Sequence, residues 1–276
     1  MNQTFRRSFG GLTAVFALAF AGASVYGQVL INEIMYHPPP AIPEAPSKEW
    51  IELYNTGTNA VDLSGWRFTK GLSFTFTNVT LPAGGYLVVA ANRAVFQTNY
   101  PTVTNVVGDW TGKLRNSGET LELSDALGQK VDTVSYATEG DWALRRPGEP
   151  YPGKPTWWVG WQWTTPADGL GKSLELINAN LPNHYGQNWS ASAPDGGTPG
   201  QPNSVATNHI APMILEVQHL PAIPRATNTV TVSARLLQEA ASLATVAVFY
   251  RLDGASSFAS LPMLDDGLHG DGAAGD

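Results

Sequence analysis

The sequence contains no cysteine among its 276 residues. This absence excludes disulfide bonds, thiol catalysis, thiolate metal sites and a lipidated N-terminal cysteine. Charged residues are also scarce, at 14% of the chain, and the acidic ones prevail to give a net charge of −7. An acidic surface argues against non-specific contact with nucleic acid, which needs clustered Lys and Arg. It argues equally against binding to anionic membranes.

Apolar runs of membrane length are lacking as well. The short apolar run from Leu12 to Phe20 follows two arginines and precedes small residues. This pattern predicts an export signal over residues 1–27, cleaved after Gly27 or after Ala23, and the general route is favoured over the twin-arginine route. The run is too short to span a bilayer. We therefore expect an exported protein, whether periplasmic, cell-surface or extracellular, with a net charge of −9 after cleavage.

Short segments rich in β-branched and aromatic residues fill the following part of the chain, and turns rich in Gly, Asn, Asp and Pro separate them. They predict strands over Val29–Tyr36, Trp50–Tyr54, Gly65–Thr69, Ser73–Phe76, Tyr86–Ala90, Thr120–Ser124 and Lys130–Tyr136. No segment shows a sustained helical period of apolar residues. Regular short strands favour an all-β sandwich or barrel.

The composition changes near residue 205, where a stretch rich in Gly, Pro, Ser and Asn predicts a linker over residues 205–211. Beyond it, strands are predicted over Met213–Gln218, Asn228–Ala234, Val246–Leu252 and Ser257–Met263. We interpret residues 212–276 as an incomplete immunoglobulin- or fibronectin-like domain. Four strands leave too many unpaired edges for a stable sandwich, so we expect the chain to be part of a longer protein.

Four carboxylates invite a catalytic interpretation, because glycoside hydrolysis needs two carboxyl groups about 5–10 Å apart. They are Glu33, Glu49, Glu52 and Asp62. Strand alternation sends Glu49 and Glu52 to opposite faces of one strand, with Ile51 and Leu53 on the Glu49 side as the expected core pair. Strand-end carboxylates more often accept turn hydrogen bonds. We therefore predict no catalytic residue in the chain.

Eight short motifs, each present once, follow one another along the first 204 residues. They are Asn32-Glu33, Glu49 to Asn55 (EWIELYN), Asp62 to Trp66 (DLSGW), Leu114-x-Asn116-x-Gly118-Glu119, Asp132-x-Val134-x-Tyr136, Ser173 to Leu176 (SLEL), Asn188-Trp189 and Gly197 to Gly200 (GTPG). This set resembles the lamin tail domain in its bacterial, secreted form.

The resemblance implies an immunoglobulin-like β-sandwich over residues 28–204. It also implies a non-catalytic module carried by large exported proteins. Such proteins often hold a kinase-like spore-coat-protein-H domain, a nuclease or a phosphatase as well. The sequence contains no motif of such a domain.

A tryptophan-rich insertion, about residues 140–163, departs from the family pattern. Its aromatic and basic residues are candidate ligand contacts: Trp142, Arg145, Arg146, Tyr151, Trp157, Trp158, Trp161 and Trp163. Aromatic rings stack on sugar faces or hold proline-rich and cationic ligands, and arginine stacks beside tryptophan. Alternatively, the rings form a satellite cluster that packs a long loop against the domain.

The acidic turn near residue 265 is a candidate calcium site, because Ca²⁺ prefers carboxylate oxygens on glycine-rich turns. Its candidate ligands are Asp265, Asp266, Asp271 and Asp276. The alternative is an ion-free turn, in which aspartate caps the backbone and glycine supplies a positive φ. The five histidines lack ligand spacing and are expected at surface or turn positions.

These observations favour an exported, non-catalytic module for adhesion, scaffolding or presentation of neighbouring domains at the cell exterior. Its expected partner is a protein or a polysaccharide. The alternative is an accessory region that binds substrate or glycan for a larger enzyme, whose catalytic domain would lie beyond residue 276.

Overall fold

The computed structural model describes residues 2–9, 12–20, 28–40, 43–149, 160–239, 245–252 and 255–268, and in the first two of these ranges it describes the backbone alone. The chain forms two compact units. The main unit is Val25–Asn208, and the second unit combines Met1–Ser24 with His209–Asp276. No helix in the described residues is long and apolar enough to cross a membrane.

Strands dominate both units. In chain order they are β1 (Asn2–Phe9), β2 (Leu12–Phe20), β3 (Val29–Met35), β4 (Trp50–Asn55), β5 (Val61–Asp62), β6 (Arg67–Lys70), β7 (Phe74–Thr75), β8 (Thr80–Leu81), β9 (Tyr86–Ala90), β10 (Val106–Gly108), β11 (Gly118–Ser124), β12 (Lys130–Ala137), β13 (Leu144–Pro147), β14 (Trp161–Thr164), β15 (Leu174–Leu176), β16 (Trp189–Ala191), β17 (Met213–Leu220), β18 (Val230–Gln238), β19 (Ala247–Tyr250) and β20 (Ala259–Pro262). One α-helix, α1 (Arg93–Asn99), and three short 3₁₀ turns (Pro46–Lys48, Gly140–Trp142 and Gly186–Asn188) complete the described elements.

The main unit is a β-sandwich. One sheet has six strands in the order β10-β9-β4-β3-β15-β16, and the other has four in the order β12-β11-β6-β7. Two small ribbons, β5-β8 and β13-β14, accompany them. The strands predicted from sequence for this unit are present, with boundaries that shift by at most two residues; β6, for example, begins at Arg67 and β7 covers only Phe74–Thr75.

The hydrophobic core lies between the two sheets. Ile51 and Leu53 of β4 are fully buried there beside Leu121 and Val134 of the facing sheet. The predicted core face of the Glu49–Trp66 segment is therefore confirmed. Tyr36 also enters this core and stacks on Tyr136 with ring centroids 4.8 Å apart.

The opposite face of the six-stranded sheet is buried as well, which the alternation of β4 did not reveal. Trp50 and Met35 pack there against Phe96 of α1. Helix α1 was not predicted, because seven residues are too few to show an apolar period. The helix begins after Asn92, a residue type preferred at helix N-caps, whose side chain accepts a hydrogen bond from Val95 N.

The second unit contains a four-stranded sheet in the order β1-β2-β18-β17 and the hairpin β19-β20. Strand β2 pairs in parallel with β18 over nine residues, from Leu12↔Val230 to Phe20↔Gln238. Its small apolar cluster centres on Leu236 and Met263. The strands β1 and β2 cover the residues that the sequence predicts to be an export signal, and that prediction stands as an expectation.

Candidate functional site

The Trp–Arg ribbon, formed by β13 (Leu144–Pro147) and β14 (Trp161–Thr164), carries the described part of the tryptophan-rich insertion. The two strands are antiparallel, with Arg145 opposite Trp163 and Pro147 opposite Trp161. Residues directly opposite each other share a face of a β-ribbon. Arg145, Trp161 and Trp163 therefore lie on one face, whereas Arg146 lies on the other.

The aromatic face of the Trp–Arg ribbon is open to solvent. Trp161 and Trp163 are 44% and 38% exposed, values that are high for tryptophan in a folded chain. The guanidinium carbon of Arg145 lies 4.4 Å from the centroid of the Trp161 ring. This cation–π contact holds the guanidinium over the ring, with its charge at the surface.

The remaining predicted ligand residues divide into two groups. Trp142 is half-buried, packs against the main core and lies with its ring centroid 5.9 Å from that of Trp189. For Trp142 the structure favours the packing alternative over ligand contact. Tyr151, Trp157 and Trp158 lie outside the described residues.

A row of three glutamates crosses the six-stranded sheet on the face opposite the main core. In register, Glu33 of β3 stands beside Glu52 of β4 on one side and Glu175 of β15 on the other. All three side chains are fully buried. A buried carboxyl group is costly unless hydrogen bonds satisfy it, so the surroundings of this glutamate row decide whether it is structural.

Residues 196–205, the closing segment, supply most of the donors to the glutamate row. Glu33 Oε1 accepts hydrogen bonds from Thr198 N at 2.9 Å and from Ser173 Oγ at 2.5 Å. Glu175 accepts from Thr198 Oγ1 at 2.8 Å, from Ser204 Oγ at 2.7 Å and from Val205 N at 3.2 Å. The closing segment is thereby fixed to the sheet through two neighbouring carboxyl groups.

The third member of the row uses the same segment. Glu52 Oε2 accepts from Gly200 N at 2.5 Å, and Oε1 accepts from Asn32 Nδ2 at 3.0 Å. Asn203 then donates to the backbone oxygens of Asn32 and Leu176. Within the described residues, the donors to these carboxyl groups are hydroxyl, carboxamide and backbone groups, and none is a charged side chain.

No charged side chain donates to these carboxyl groups within the described residues, and the pKa values of Glu33 and Glu52 are raised. Burial raises the pKa of Glu33 well above its ordinary value, and the neighbouring Glu52 raises it further. Burial also raises the pKa of Glu52 to about 8. The proton that Glu52 retains at neutral pH reduces the cost of placing this carboxyl group in the interior.

The other two carboxylates considered from sequence lie elsewhere. Glu49 is buried on the core side of β4, where its Oε2 accepts from Leu114 N at 2.8 Å, and burial raises its pKa to about 8. Asp62 is exposed and caps its own turn by accepting from Ser64 N and Ser64 Oγ. The predicted separation of Glu49 and Glu52 onto opposite faces is confirmed.

The candidate calcium turn is described only in part. Asp265 is buried, and Asp266 Oδ1 accepts from Leu268 N at 3.0 Å, as in an aspartate-capped turn. Asp271 and Asp276 lie outside the described residues. Among the residues that are described, no three His, Cys, Asp or Glu side chains converge to hold a metal ion. Calcium binding by the second unit stays a prediction.

One histidine departs from its expected surface position. The side chain of His37 is only 14% exposed, and its Nδ1 lies 2.5 Å from Asp168 Oδ1. The pair ties the end of β3 to the loop before β15, where Gly169 N donates to His37 O. His37 is therefore a structural connection between two segments rather than a surface residue.

Sequence reasoning missed Glu175 and the burial of the whole glutamate row. A signal was present for two of the three, because Glu52 and Glu175 each stand between apolar residues in the middle of a strand (IEL and LEL), whereas Glu33 follows Asn32 (NEI). A glutamate with apolar neighbours on both sides of a sheet strand indicates a buried position once both faces of the sheet are known to be covered.

A comparison with known protein families assigns one segment of the chain to a family. Residues 22–138 match the Lamin Tail Domain family. The match confirms the resemblance and the immunoglobulin-like β-sandwich for that segment, and it leaves the remainder of the chain unassigned. The matched module is typically non-catalytic, and no catalytic domain is identified. No curated protein matches the chain.

Proposed function

We propose that this chain is a non-catalytic adhesion module of the cell exterior that contacts a polysaccharide through the Trp–Arg ribbon. The observation that carries the proposal is the exposed ring pair Trp161 and Trp163 on one ribbon face. Large exposed aromatic surfaces are uncommon in soluble proteins and mark sites of interaction.

The geometry of the ribbon supports a ligand with flat apolar faces. Trp161 and Trp163 are two residues apart on β14, so their side chains project from the same face about 7 Å apart along the strand. Sugar rings offer C–H faces that stack on such side chains, and a polymer repeats those faces. A two-stranded ribbon presents them in a line, which suits a chain-like ligand.

The charge of the ribbon adds a second feature. Arg145 and Arg146 place two positive charges on a chain whose net charge is −7. Arg145 is held against Trp161, so its outward N–H groups are positioned to donate to ligand hydroxyl or carboxylate oxygens. The contact costs less conformational entropy on binding because the arginine is already ordered by the ring.

The structural role of the glutamate row supports a binding function rather than hydrolysis. Glu33 and Glu52 are fully buried under the closing segment and satisfied by Thr198 N and Gly200 N. A glycosidase pair must face a substrate and a water molecule. These carboxyl groups instead face protein donors.

The test is intrinsic tryptophan fluorescence, titrated with a panel of soluble neutral and acidic polysaccharides. We expect a saturable change in the full chain that is largely lost in Trp161→Ala and in Trp163→Ala. Arg145→Ala should weaken binding about three- to tenfold, in line with the ~0.5–1 kcal/mol or more of an exposed cation–π contact and a lost charged hydrogen bond. Arg146→Ala, on the opposite face, is the matched control and should bind normally.

Two results would contradict the proposal. One is the absence of any response across the panel together with shielding of both tryptophans from a soluble quencher. The other is equal weakening by Arg145→Ala and Arg146→Ala, which would indicate a non-specific charge effect rather than recognition by one face.

A further inference from the structure

The main unit contains a cavity whose lining shares no residue with the Trp–Arg ribbon. It has a volume of about 280 Å³ and opens between the β4–β9 strand pair and the stretch from Leu176 to Asn208. We call it the amide cavity. Its size is near the lower end of the ~300–1,000 Å³ range of small-molecule sites, which suits one or two sugar rings better than a long peptide.

The lining of the amide cavity is polar and carries no charge. Its twelve residues include four asparagines, two threonines and two tyrosines, with apolar residues for the rest. Although the chain has a net charge of −7, no carboxylate or ammonium group lines this cavity, and this selects for uncharged ligands. Such a lining offers nothing to compensate an ionic ligand, whereas it can satisfy a neutral, polyhydroxylated one.

One wall of the cavity is a tyrosine pair. Tyr54 and Tyr86 stand opposite each other on β4 and β9, and their rings stack with centroids 4.6 Å apart and planes 11° from parallel. Burial raises the pKa of Tyr86 to about 12, so its hydroxyl stays protonated and able to donate at neutral pH. The wall therefore combines aromatic carbon with hydroxyl groups.

The floor and rim of the cavity differ in hydrogen bonding. At the floor, Asn32 and Asn203 are buried and hydrogen-bonded to each other, so they form a rigid base. At the rim, the side-chain amides of Asn180 and Asn208 have no hydrogen-bond partner among the described residues. A free carboxamide offers a donor and an acceptor side by side, the pair that adjacent sugar hydroxyls satisfy.

We infer that the amide cavity binds a neutral saccharide unit, with the Tyr54–Tyr86 wall beside the sugar ring and the Asn180 and Asn208 amides on its hydroxyls. A short uncharged peptide would also find amide partners here. The compact volume favours the sugar, because extended peptides are usually recognised along a strand edge or a groove.

Saturation-transfer NMR tests this inference on the full chain. The ligands are the methyl glycosides of glucose, galactose, mannose and N-acetylglucosamine, with glucuronate and a blocked uncharged tetrapeptide for comparison. We expect transfer to at least one neutral glycoside, weakened about fivefold by Asn180→Ala, since one lost hydrogen bond contributes about that factor. The matched control is Asn99→Ala in α1, where an exposed asparagine outside the amide cavity donates a hydrogen bond to Val95 O of its own helix.

Each outcome decides the matter. A neutral glycoside response that Asn180→Ala or Asn208→Ala reduces, and Asn99→Ala does not, supports the site. No transfer to any glycoside, a preference for glucuronate, transfer to the tetrapeptide alone, or a response indifferent to both rim variants overturns it. Because Asn180 is exposed, its substitution is not expected to unfold the chain, and polysaccharide binding at the Trp–Arg ribbon should be unchanged in the same variant.

Discussion

Replacing Glu33 by glutamine is expected to make the protein more stable at neutral pH without altering its fold. In the native structure Glu33 Oε1 accepts from Ser173 Oγ and Thr198 N, and a glutamine oxygen can accept both bonds. The second carboxyl oxygen lies 3.5 Å from Thr198 Oγ1, which itself donates to Glu175 Oε1. A glutamine amide can therefore donate to this hydroxyl, so the network is preserved.

The size of the gain follows from proton linkage. Burial, and then Glu52, raise the pKa of Glu33 well above 4.5, so the folded protein retains a proton that the unfolded chain releases above about that pH. Stability is consequently greatest below pH 4.5 and falls by ~1.4 kcal/mol per pH unit for each retained proton until the folded carboxyl ionises. Above pH 4.5 the proton retained by Glu33 therefore costs stability, and this cost grows with pH until the folded carboxyl ionises. Glutamine removes that cost.

The measurement is urea denaturation of the native protein and of Glu33→Gln at several pH values between 4.5 and 8. We expect similar unfolding free energies near pH 4.5 and a difference that grows in favour of the variant as the pH rises. Glu122→Gln is the matched control, because Glu122 lies at a more accessible strand position and binds Lys70, which lowers its pKa. Parallel pH profiles for the native protein and Glu33→Gln would refute the reasoning.

Two further predictions follow from neighbouring features. Gly197→Ala should destabilise the main unit by at least ~2 kcal/mol, because φ is +77° and a Cβ would lie 2.2 Å from Glu33 Oε1. The control is Gly84→Ala, with φ +63° and open space around the Cβ, which should cost only about 1 kcal/mol for the backbone conformation. Equal losses of stability for the two variants in thermal or urea denaturation would contradict this account. Mass spectrometry of the secreted protein should show a mature N-terminus at Gln28 or Ser24, and retention of the first residues would contradict the predicted export signal.

Much of the main fold was predictable because its signals are local. The alternation in β4 identified Ile51 and Leu53 as core residues, and turn residues marked the strand limits. The helix α1 and the short strands β5, β8 and β10 escaped, because two to seven residues carry too little periodicity. Their existence depends on the sheet against which they pack, and a single strand does not encode that surface.

Among the candidate sites, too, the one with a local sequence signal was predictable and those formed by distant residues were not. The Trp–Arg ribbon was located by composition, although sequence alone did not separate the exposed Trp161 and Trp163 from the packed Trp142. The glutamate row was hidden because Glu33 and Glu175 are 142 positions apart and meet only through strand pairing. The amide cavity depends on Tyr86 and Asn208, two more residues that only the tertiary fold brings together.

The position of the closing segment bears on how this module can move between proteins. The family match ends at residue 138, ahead of β15, β16 and the donors in residues 196–205. A gene fragment that ends at residue 138 would leave β3 as an unprotected sheet edge. It would also lack the closing segment, so that the buried Glu33 and Glu52 would be exposed to water. Recombination that transplants the fold intact must therefore carry the chain through Val205, so the unit of inheritance is longer than the segment by which the family is recognised.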